Sequence, residues 1–249
     1  MSSDAERILV IIPAAGSGTR FGGNVPKQFL PLGGKPLVQR AVERFLFDAR
    51  VTRIVVPIVD TLLSVITASS PGERVQFVAG GATRLQSVTR GLEAAGGEFD
   101  LVAIHDAVRP FFALDTFHAT LDAARTHGAA FPGLPLPDTV HQIADGAIVA
   151  TPDRSVLFAA QTPQCFRIDV LRDVLERAAR EDADATDEAG LAAKYGHRVQ
   201  LVRGDSMNFK ITRLEDFVMA ERVYAEWGAE DDGETDGERD GEADGKADA

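Results

Sequence analysis

Short apolar runs recur along the chain and alternate with segments whose apolar residues have helical spacing. Each run is rich in β-branched residues and is bounded by glycine, proline or charged residues, which predicts a buried strand. The predicted strands are Arg7–Ile12, Thr52–Asp60, Val75–Gly81, Phe99–Ala107 and Arg198–Val202, and Gly128–Leu136 begins a further extended segment.

The segments between these runs carry apolar residues three and four positions apart, the period of a helix with one buried face. Because the runs are nearly all apolar and alternate with helices, we predict an α/β fold: a Rossmann-like, mostly parallel sheet with helices on both faces. The predicted helices are Pro36–Phe47, Thr61–Ala68, Arg84–Ala95, Leu114–Thr126, Ile168–Arg180, Asp187–Tyr195 with Thr186 as its N-cap, and Arg213–Trp227.

The pattern changes between Pro137 and Gln161. Strand-like runs there flank Asp145-Gly146, which is a strong signal for a tight hairpin. We therefore predict a β-arm over about residues 137–161 that projects from the sheet.

The C-terminal residues 228–249 contain ten acidic and two basic residues and show no apolar periodicity. Such a segment buries too little apolar surface to offset the entropy of ordering, so we predict a disordered acidic tail after one domain at residues 1–227. The net charge of the chain is −12, and −8 of it lies in this tail. The domain itself is only mildly acidic, which argues against a nucleic-acid partner.

Two further features bear on location. Cys165 is the only cysteine, so no disulfide can form within the chain. The apolar run Ile8–Ala15 follows two acidic residues, lacks a basic start and is too short to span a bilayer. We expect a cytoplasmic protein with no signal peptide and no membrane partner.

The stretch "IIPAAGSGTRFGGNVPKQF" after the first predicted strand is rich in glycine. It does not match the dinucleotide fingerprint, because the third glycine, Gly22, comes one place late. It does not match a P-loop either, because no lysine directly follows Gly22 or Gly23. It does place Arg20 and Lys27 beside a glycine-lined turn, which suits the phosphates of a nucleoside triphosphate. The alternative is a surface loop with solvated cations.

Two other strand ends carry candidate chemistry. Gly81 in "AGGATRLQS" permits close approach to a flat base, and Ser87 can hydrogen-bond that base, although a plain strand-to-helix turn explains the segment equally well. In "HDAVRP", Asp106 suits Mg²⁺, and Arg109 suits a second phosphate, although Asp106 can instead cap the next turn. Lys210 in "MNFKIT" needs a phosphate or a carboxylate such as Asp106 as its partner.

The motifs "PAAGSGTRF", "PKQF", "AGGATRLQSV", "HDAVRP", "PLPDTV", "TPQCF", "TDEA" and "NFKIT" occur in this order. Together they resemble the 2-C-methyl-D-erythritol 4-phosphate cytidylyltransferase family, over about Arg7 to Tyr224. The resemblance implies a nucleotidyltransferase domain at residues 1–227 and a homodimer formed through the arm. It also implies transfer of CMP from CTP to 2-C-methyl-D-erythritol 4-phosphate, with Mg²⁺ as the cofactor.

The resemblance also implies roles for individual residues. Arg20 and Lys27 would stabilise the transition state at the α-phosphate, whereas Lys210 and the partner subunit's Arg154 would position the attacking phosphate. Asp106 would lie near Mg²⁺ and substrate. The residues implied for CTP are Pro13, Ala14, Ala15, Gly16, Ser17, Gly18, Gly81 and Ser87, and those implied for the polyol phosphate are Asp106, Arg109, Thr139, Thr162 and Thr186.

One departure and three alternatives remain open. The family often has acidic residues after the Gly-Gly turn, where this chain has Ala82 and Thr83. A related cytidylyltransferase that acts on ribitol 5-phosphate would share the CTP loops. A nicotinamide-dependent oxidoreductase and a non-catalytic nucleotide-binding protein are the more distant alternatives.

Overall fold

The computed structural model describes residues 6–16, 26–63, 72–183 and 185–231, with side chains up to Glu226. The strands are β1 Ile8–Ile11, β2 Pro31–Leu32, β3 Lys35–Pro36, β4 Val51–Ile58, β5 Val75–Ala79, β6 Leu101–Ile104, β7 Ala129–Pro135, β8 Gln142–Ala144, β9 Ala147–Ala150, β10 Phe158–Ala160, β11 Gln164–Arg167 and β12 Val199–Arg203. The helices are α1 Leu37–Leu46, α2 Arg84–Ala95, α3 Leu114–His127, α4 Ile168–Glu181, α5 Glu188–Lys194 and α6 Leu214–Asp231.

The central sheet is mixed but mostly parallel, as predicted. Strands β5, β4, β1 and β6 lie side by side in that order and are parallel to one another. Beyond β6 the sheet continues through antiparallel β11 to β7, and β12 pairs with β7 in parallel at the far side. Short β10 pairs with the end of β7, next to β11.

Successive residues of the strands point to opposite faces, and each face is covered by helices. On one face Val10, Ile54 and Ala103 pack with apolar residues of α1 and α3. On the other face Leu9 and Val55 pack with residues of α2, α4 and α5. The predicted fold, a Rossmann-like sheet with helices on both faces, is confirmed.

Strand β11 was not predicted from the sequence. Its two apolar residues, Cys165 and Phe166, are flanked by Gln164 and Arg167, so the segment lacks an apolar run. Pairing between β6 and β7 nevertheless buries the strand in the middle of the sheet. Because β11 is antiparallel to β6, the residues before β11 lie beside the residues after β6, and this brings Thr162 to Asp106.

The predicted arm is present. Strands β8 and β9 form a two-stranded antiparallel hairpin whose turn is Asp145-Gly146, and both turn residues have positive φ, of 50° and 78°. This backbone matches the two-residue hairpin turns that Asp-Gly favours. All residues of β8, β9 and β10 are exposed, so the arm buries little surface against its own domain.

Most predicted helix ends lie within one residue of the observed ones, and two differences concern the cap of α5 and the length of α6. Helix α5 takes Asp187, not Thr186, as its N-cap, because the Asp187 carboxylate accepts a hydrogen bond from the amide of Gly190. Helix α6 continues to Asp231, four residues past the predicted domain end at Trp227. The rest of the predicted tail, residues 232–249, and most of the predicted helix Thr61–Ala68 lie outside the described residues.

A buried carboxylate fixes the connection between α1 and β4. Asp48 accepts hydrogen bonds from the backbone amide and guanidinium of Arg50, at 2.9 and 2.8 Å, and contacts His118 Nε2 at 2.8 Å. Burial by itself would raise the pKa of Asp48, but these hydrogen bonds and the charge of Arg50 outweigh it and lower the pKa to about 2. The folded state therefore favours the ionised form of Asp48, and the ionised carboxylate stabilises the fold.

We expect Asp48→Asn to lower the free energy of unfolding by about 2 kcal/mol at pH 7. Because the folded pKa lies below the unfolded one, this stabilisation is complete above roughly pH 4 and is lost as the pH falls toward 2. Urea unfolding at pH 7 and at pH 3 measures the difference. Asp60→Asn, at an exposed position, is the control, and an equal loss for both variants at pH 7 would contradict the assignment.

Candidate active site

Loops from three strand ends line one cleft of about 370 Å³. They follow β1, β5 and β6, and the cleft therefore lies beyond the carboxyl ends of the parallel strands, where α/β sheets bind ligands. The described residues that line it are Pro13, Ala14, Ala15, Gly16, Lys27, Gln28, Gly81, Ala82, Thr83, Arg84, Ser87, Asp106, Ala107, Val108 and Lys210.

The glycine-rich turn after β1 is held by a buried glutamine. The side-chain amide of Gln28 donates to the carbonyls of Ala14 and Gly16, both at 2.7 Å. Lys27, next to this glutamine, lines the cleft, and its ammonium donates to the carbonyl of Ile211 at 3.2 Å. The predicted site residues Ser17, Gly18 and Arg20 lie outside the described residues.

The turn after β5 depends on two glycines because other groups approach them closely. An added Cβ would lie 2.3 Å from the Cβ of Ala15 at Gly80, and 2.3 Å from the Cβ of Gln86 at Gly81. The Gly81 amide donates to the Ser87 hydroxyl at 3.0 Å, and that hydroxyl donates to the Thr83 carbonyl at 3.0 Å. The structure thus brings Gly81 and Ser87 together at one wall of the cleft.

Asp106 lies at the centre of three cations. Its Oδ2 accepts from Arg109 Nε at 3.1 Å and is paired with Lys210 Nζ at 3.1 Å, and its Oδ1 lies 3.6 Å from a terminal nitrogen of Arg84. Burial by itself would raise the pKa of Asp106, but the charges of Lys210, Arg84 and Arg109 outweigh it and hold the pKa well below its usual range. Asp106 is therefore ionised, and it is the partner that Lys210 was predicted to need.

His105 is a buried structural residue. Its Nε2–H donates to the carbonyl of Arg109 at 2.9 Å, its Nδ1 accepts from the Thr162 hydroxyl at 3.0 Å, and its ring packs against Phe45 and Phe112. Burial lowers the pKa of His105 to about 4, so the imidazole is neutral at pH 7. It is not placed to act as a general base.

Two residues predicted to contact the polyol phosphate have protein partners beneath the cleft. The Thr162 hydroxyl accepts from the amide of Asp106 at 3.0 Å, and the Arg109 guanidinium donates to the carbonyl of Asn208 at 2.7 Å. Both side chains are nearly fully buried. Thr162 and Arg109 both hydrogen-bond Asp106. Their contact with substrate stays a prediction.

The remaining predicted residues lie away from the described cleft lining. Thr139 and Arg154 belong to the arm, and the Arg154 guanidinium, which is exposed, donates to the carbonyl of Pro137. Thr186 lies at the rim of a second, open hollow of about 430 Å³ together with Asp187 and Lys194. Their roles toward substrate also stay predictions.

Several residues of the site were missed by sequence reasoning. Arg84 lines the cleft and is paired with the buried Glu188, while Gln28 and Asn208 hold the backbone from below. Arg84 and Glu188 stand inside motifs that carry the family resemblance. Each occupies the first turn of a helix, where a charged residue is ordinary, so spacing along the chain gave no sign that they pair.

The cleft offers one carboxylate to a divalent cation. Among the described residues no three His, Cys, Asp or Glu side chains cluster as a metal site. Asp106 supplies a single carboxylate, whose Oδ1 is too far from Arg84 for a hydrogen bond and so keeps free lone pairs. One carboxylate completed by substrate phosphates is a usual environment for Mg²⁺, so the residues present fit that ion.

A mostly parallel α/β sheet with a glycine-lined, cation-rich cleft beyond the carboxyl ends of its strands is the architecture of a nucleotide-binding enzyme. A family model described as IspD, 2-C-methyl-D-erythritol 4-phosphate cytidylyltransferase, matches residues 8–226. The chain belongs to this family.

Individual relatives agree with that assignment. The chain is 41% identical over 220 residues to the 2-C-methyl-D-erythritol 4-phosphate cytidylyltransferase of Symbiobacterium thermophilum, with 88% of this chain and 93% of that protein covered. The crystal structure of the enzyme of that name from Thermus thermophilus superposes with a TM-score of 0.73 at 34% identity, covering 88% of this chain and 99% of the other. The 4-diphosphocytidyl-2C-methyl-D-erythritol synthase of Anaerococcus prevotii gives 0.78 at 28% identity, with 89% and 100% covered.

Family membership decides between the classes that the sequence left open. The predicted nucleotidyltransferase class is confirmed, and the oxidoreductase and non-catalytic alternatives are wrong. Within the described part of the chain, no helix combines the length and apolar character needed to cross a bilayer.

Proposed function

We propose that this protein transfers CMP from CTP to 2-C-methyl-D-erythritol 4-phosphate and releases pyrophosphate. The observation that supports this most directly is the composition of the cleft: its lining combines glycine-bordered turns, the ammonium groups of Lys27 and Lys210 and the carboxylate of Asp106, and the nearby histidine is buried and neutral. A phosphate monoester is already an adequate nucleophile, so the proposed reaction needs no general base. It needs positioning and charge stabilisation.

CTP would occupy the walls formed by the turns after β1 and β5. Gly80 and Gly81 let the turn after β5 pack closely against Ala15 and Gln86, and the Ser87 hydroxyl is fixed at the start of α2. The triphosphate would then lie along Pro13–Gly16, toward Lys27. Lys27, with Arg20 from the same loop, would stabilise the negative charge that grows on the α-phosphate during attack.

The attacking phosphate would enter on the side of Lys210 and Asp106. The side chain of Lys210 is 42% exposed, so its ammonium can leave Asp106 and bind an incoming phosphate. Arg109, Thr139, Thr162 and Thr186 are the proposed contacts for the polyol. When bound, Mg²⁺ held by Asp106 and the nucleotide phosphates would offset part of the triphosphate charge.

We also propose that two copies of the chain pair through their arms. Five large apolar side chains of the arm are exposed, and a cluster of this kind marks a protein interface. They are Ile143, Ile148, Val149, Val156 and Phe158, exposed by 41–73%. In such a dimer Arg154, which is not among the residues that line the described cleft of its own chain, would contribute to the cleft of the partner. A cytoplasmic location fits the single cysteine.

We expect Ile148→Asp to convert the dimer to a monomer and to lower turnover at least about 10-fold, because Arg154 would no longer reach the partner cleft. Sedimentation equilibrium measures the mass, and pyrophosphate release measures turnover. Met219→Asp places the same charge at a similarly exposed apolar position on α6 and should leave both unchanged. A fully active monomer would overturn the role of the arm.

The experiment that tests the function is a pyrophosphate-release assay with CTP, Mg²⁺ and each polyol phosphate in turn. We expect turnover with 2-C-methyl-D-erythritol 4-phosphate and little with ribitol 5-phosphate. Replacing CTP by ATP, GTP or UTP should abolish turnover if the turn after β5 selects cytosine. Preference for ribitol 5-phosphate, or equal use of all four nucleotides, would contradict the proposal.

A further inference from the structure

A buried ion pair connects two loops that the proposed function assigns to different substrates. Glu188, in the first turn of α5, is 1% exposed, and its carboxylate bonds the guanidinium of Arg84, the first residue of α2. Arg84 follows the turn proposed for the cytosine base. Glu188 follows Thr186, which is proposed for the polyol phosphate.

The other side of the Arg84 guanidinium faces Asp106. One terminal nitrogen pairs with Glu188, and the second lies 3.6 Å from Asp106 Oδ1. A planar guanidinium presents its donors in a fixed fork, so the position of Glu188 sets the direction in which Arg84 faces Asp106. The three side chains form a chain of charges from helix α5 to the floor of the cleft.

The N-termini of α2 and α5 are both capped by residues other than Arg84 and Glu188. The N-terminus of α5 is capped by Asp187 and tied to β11 by Gln164, whose side chain accepts from the Ala189 amide at 3.0 Å and donates to Asp187 Oδ2 at 2.9 Å. The N-terminus of α2 is capped by Thr83, which accepts from the Gln86 amide at 3.1 Å. The local structure on both sides is therefore fixed by other contacts.

A buried ion pair is also weak as a source of stability, since the cost of removing both charges from water offsets most of their attraction. An apolar pair of similar volume often stabilises a fold as well. Neither helix cap depends on the pair and the pair adds little stability, so its contact with Asp106 in the cleft is the feature that points to a role.

We propose that Glu188 is a positioning residue that acts through Arg84: it aims the guanidinium at Asp106 and so fixes the side of the cleft that receives the polyol phosphate. This inference rests on the proposed function. It assigns the pair to the second substrate rather than to CTP, because Gly81 and Ser87 are held by hydrogen bonds that involve neither Arg84 nor Glu188.

The test is the double variant Arg84→Met/Glu188→Leu, which removes both charges together and leaves no unpaired ion buried. We expect the KM for 2-C-methyl-D-erythritol 4-phosphate to rise at least about 10-fold, the KM for CTP to change less than about threefold, and the melting temperature to stay near that of the wild type. Arg84→Lys keeps the positive charge but cannot reach both carboxylates. Its KM for 2-C-methyl-D-erythritol 4-phosphate should therefore lie between those of the wild type and the double variant.

The matched control is Arg180→Met/Glu176→Leu, which makes the same two changes at an exposed ion pair on α4 and should alter neither KM. Equal rises in both KM values, or a double variant as active as the wild type, would overturn the positioning role. Because the double variant can fail to fold, Arg84→Lys is measured in parallel, and an unchanged KM for the polyol phosphate in that variant would also overturn it. Failure of the proposed function itself is distinct, since the wild type would then show no turnover with that polyol phosphate.

Discussion

Replacing Lys27 with alanine is expected to lower turnover by about 10²- to 10³-fold, the cost of losing one donor to a developing charge. Lys27 lines the cleft next to Gln28, and its ammonium donates to the carbonyl of Ile211 at 3.2 Å. That contact fixes a positive charge where the triphosphate would pass. The substitution removes charge from the transition state without disturbing the buried Gln28 that holds the turn.

The measurement is single-turnover pyrophosphate release at saturating CTP, with the melting temperature determined in parallel. Lys27→Arg keeps the charge and should recover part of the rate. Lys35→Ala is the control, because Lys35 is 42% exposed and pairs with Glu43 outside the cleft. If Lys27→Ala turned over at the wild-type rate, Lys27 would be a solvated surface residue and the proposed mechanism would fail.

The fold could be predicted largely from the sequence, because the residues that each helix or turn needs lie within one short segment. Helix α2 was predicted with the same limits that it has in the structure, Arg84–Ala95, since its apolar stripe and its cap at Thr83 lie within one segment. The hairpin turn at Asp145-Gly146 was equally clear, because the positive φ values of that turn favour these residue types. Strand β11 could not be found in this way, because its burial comes from neighbours distant in the chain.

The candidate site also combines features that depend on one segment with contacts between distant segments. The turns that carry Gly81 and Asp106 could be placed at one edge of the sheet, because parallel strands end together. The contacts between turns could not be placed. Glu188 is separated from Arg84 by 104 positions, and nothing in either segment indicates that the two pair. Sequence therefore predicted which loops form the cleft, and the structure was needed to show which side chains hold its charges.

Replacing Asp106 with asparagine is expected to affect both stability and activity, because Asp106 is the carboxylate that three cations share. The amide keeps the shape of the side chain but leaves Arg109, 9% exposed at its side chain, beside a neutral group. Breaking a buried charge pair on one side costs about 3 kcal/mol in the free energy of unfolding. Turnover should fall at least about 10²-fold, because Lys210 and the proposed Mg²⁺ both lose their anchor.

Chemical unfolding and pyrophosphate release, both measured where the variant is fully folded by circular dichroism, separate the two effects. Asp115→Asn, at an exposed position on α3, is the control for the substitution itself. The double variant Asp106→Asn/Lys210→Met removes a cation together with the carboxylate, so it should regain part of the stability and none of the activity.

Because the pKa of Asp106 lies well below its usual range, the carboxylate stays ionised from roughly pH 5 to pH 9. A change of turnover between pH 5 and pH 9 that the wild type shows and Asp106→Asn lacks would therefore contradict the charge arrangement on which the proposed mechanism depends.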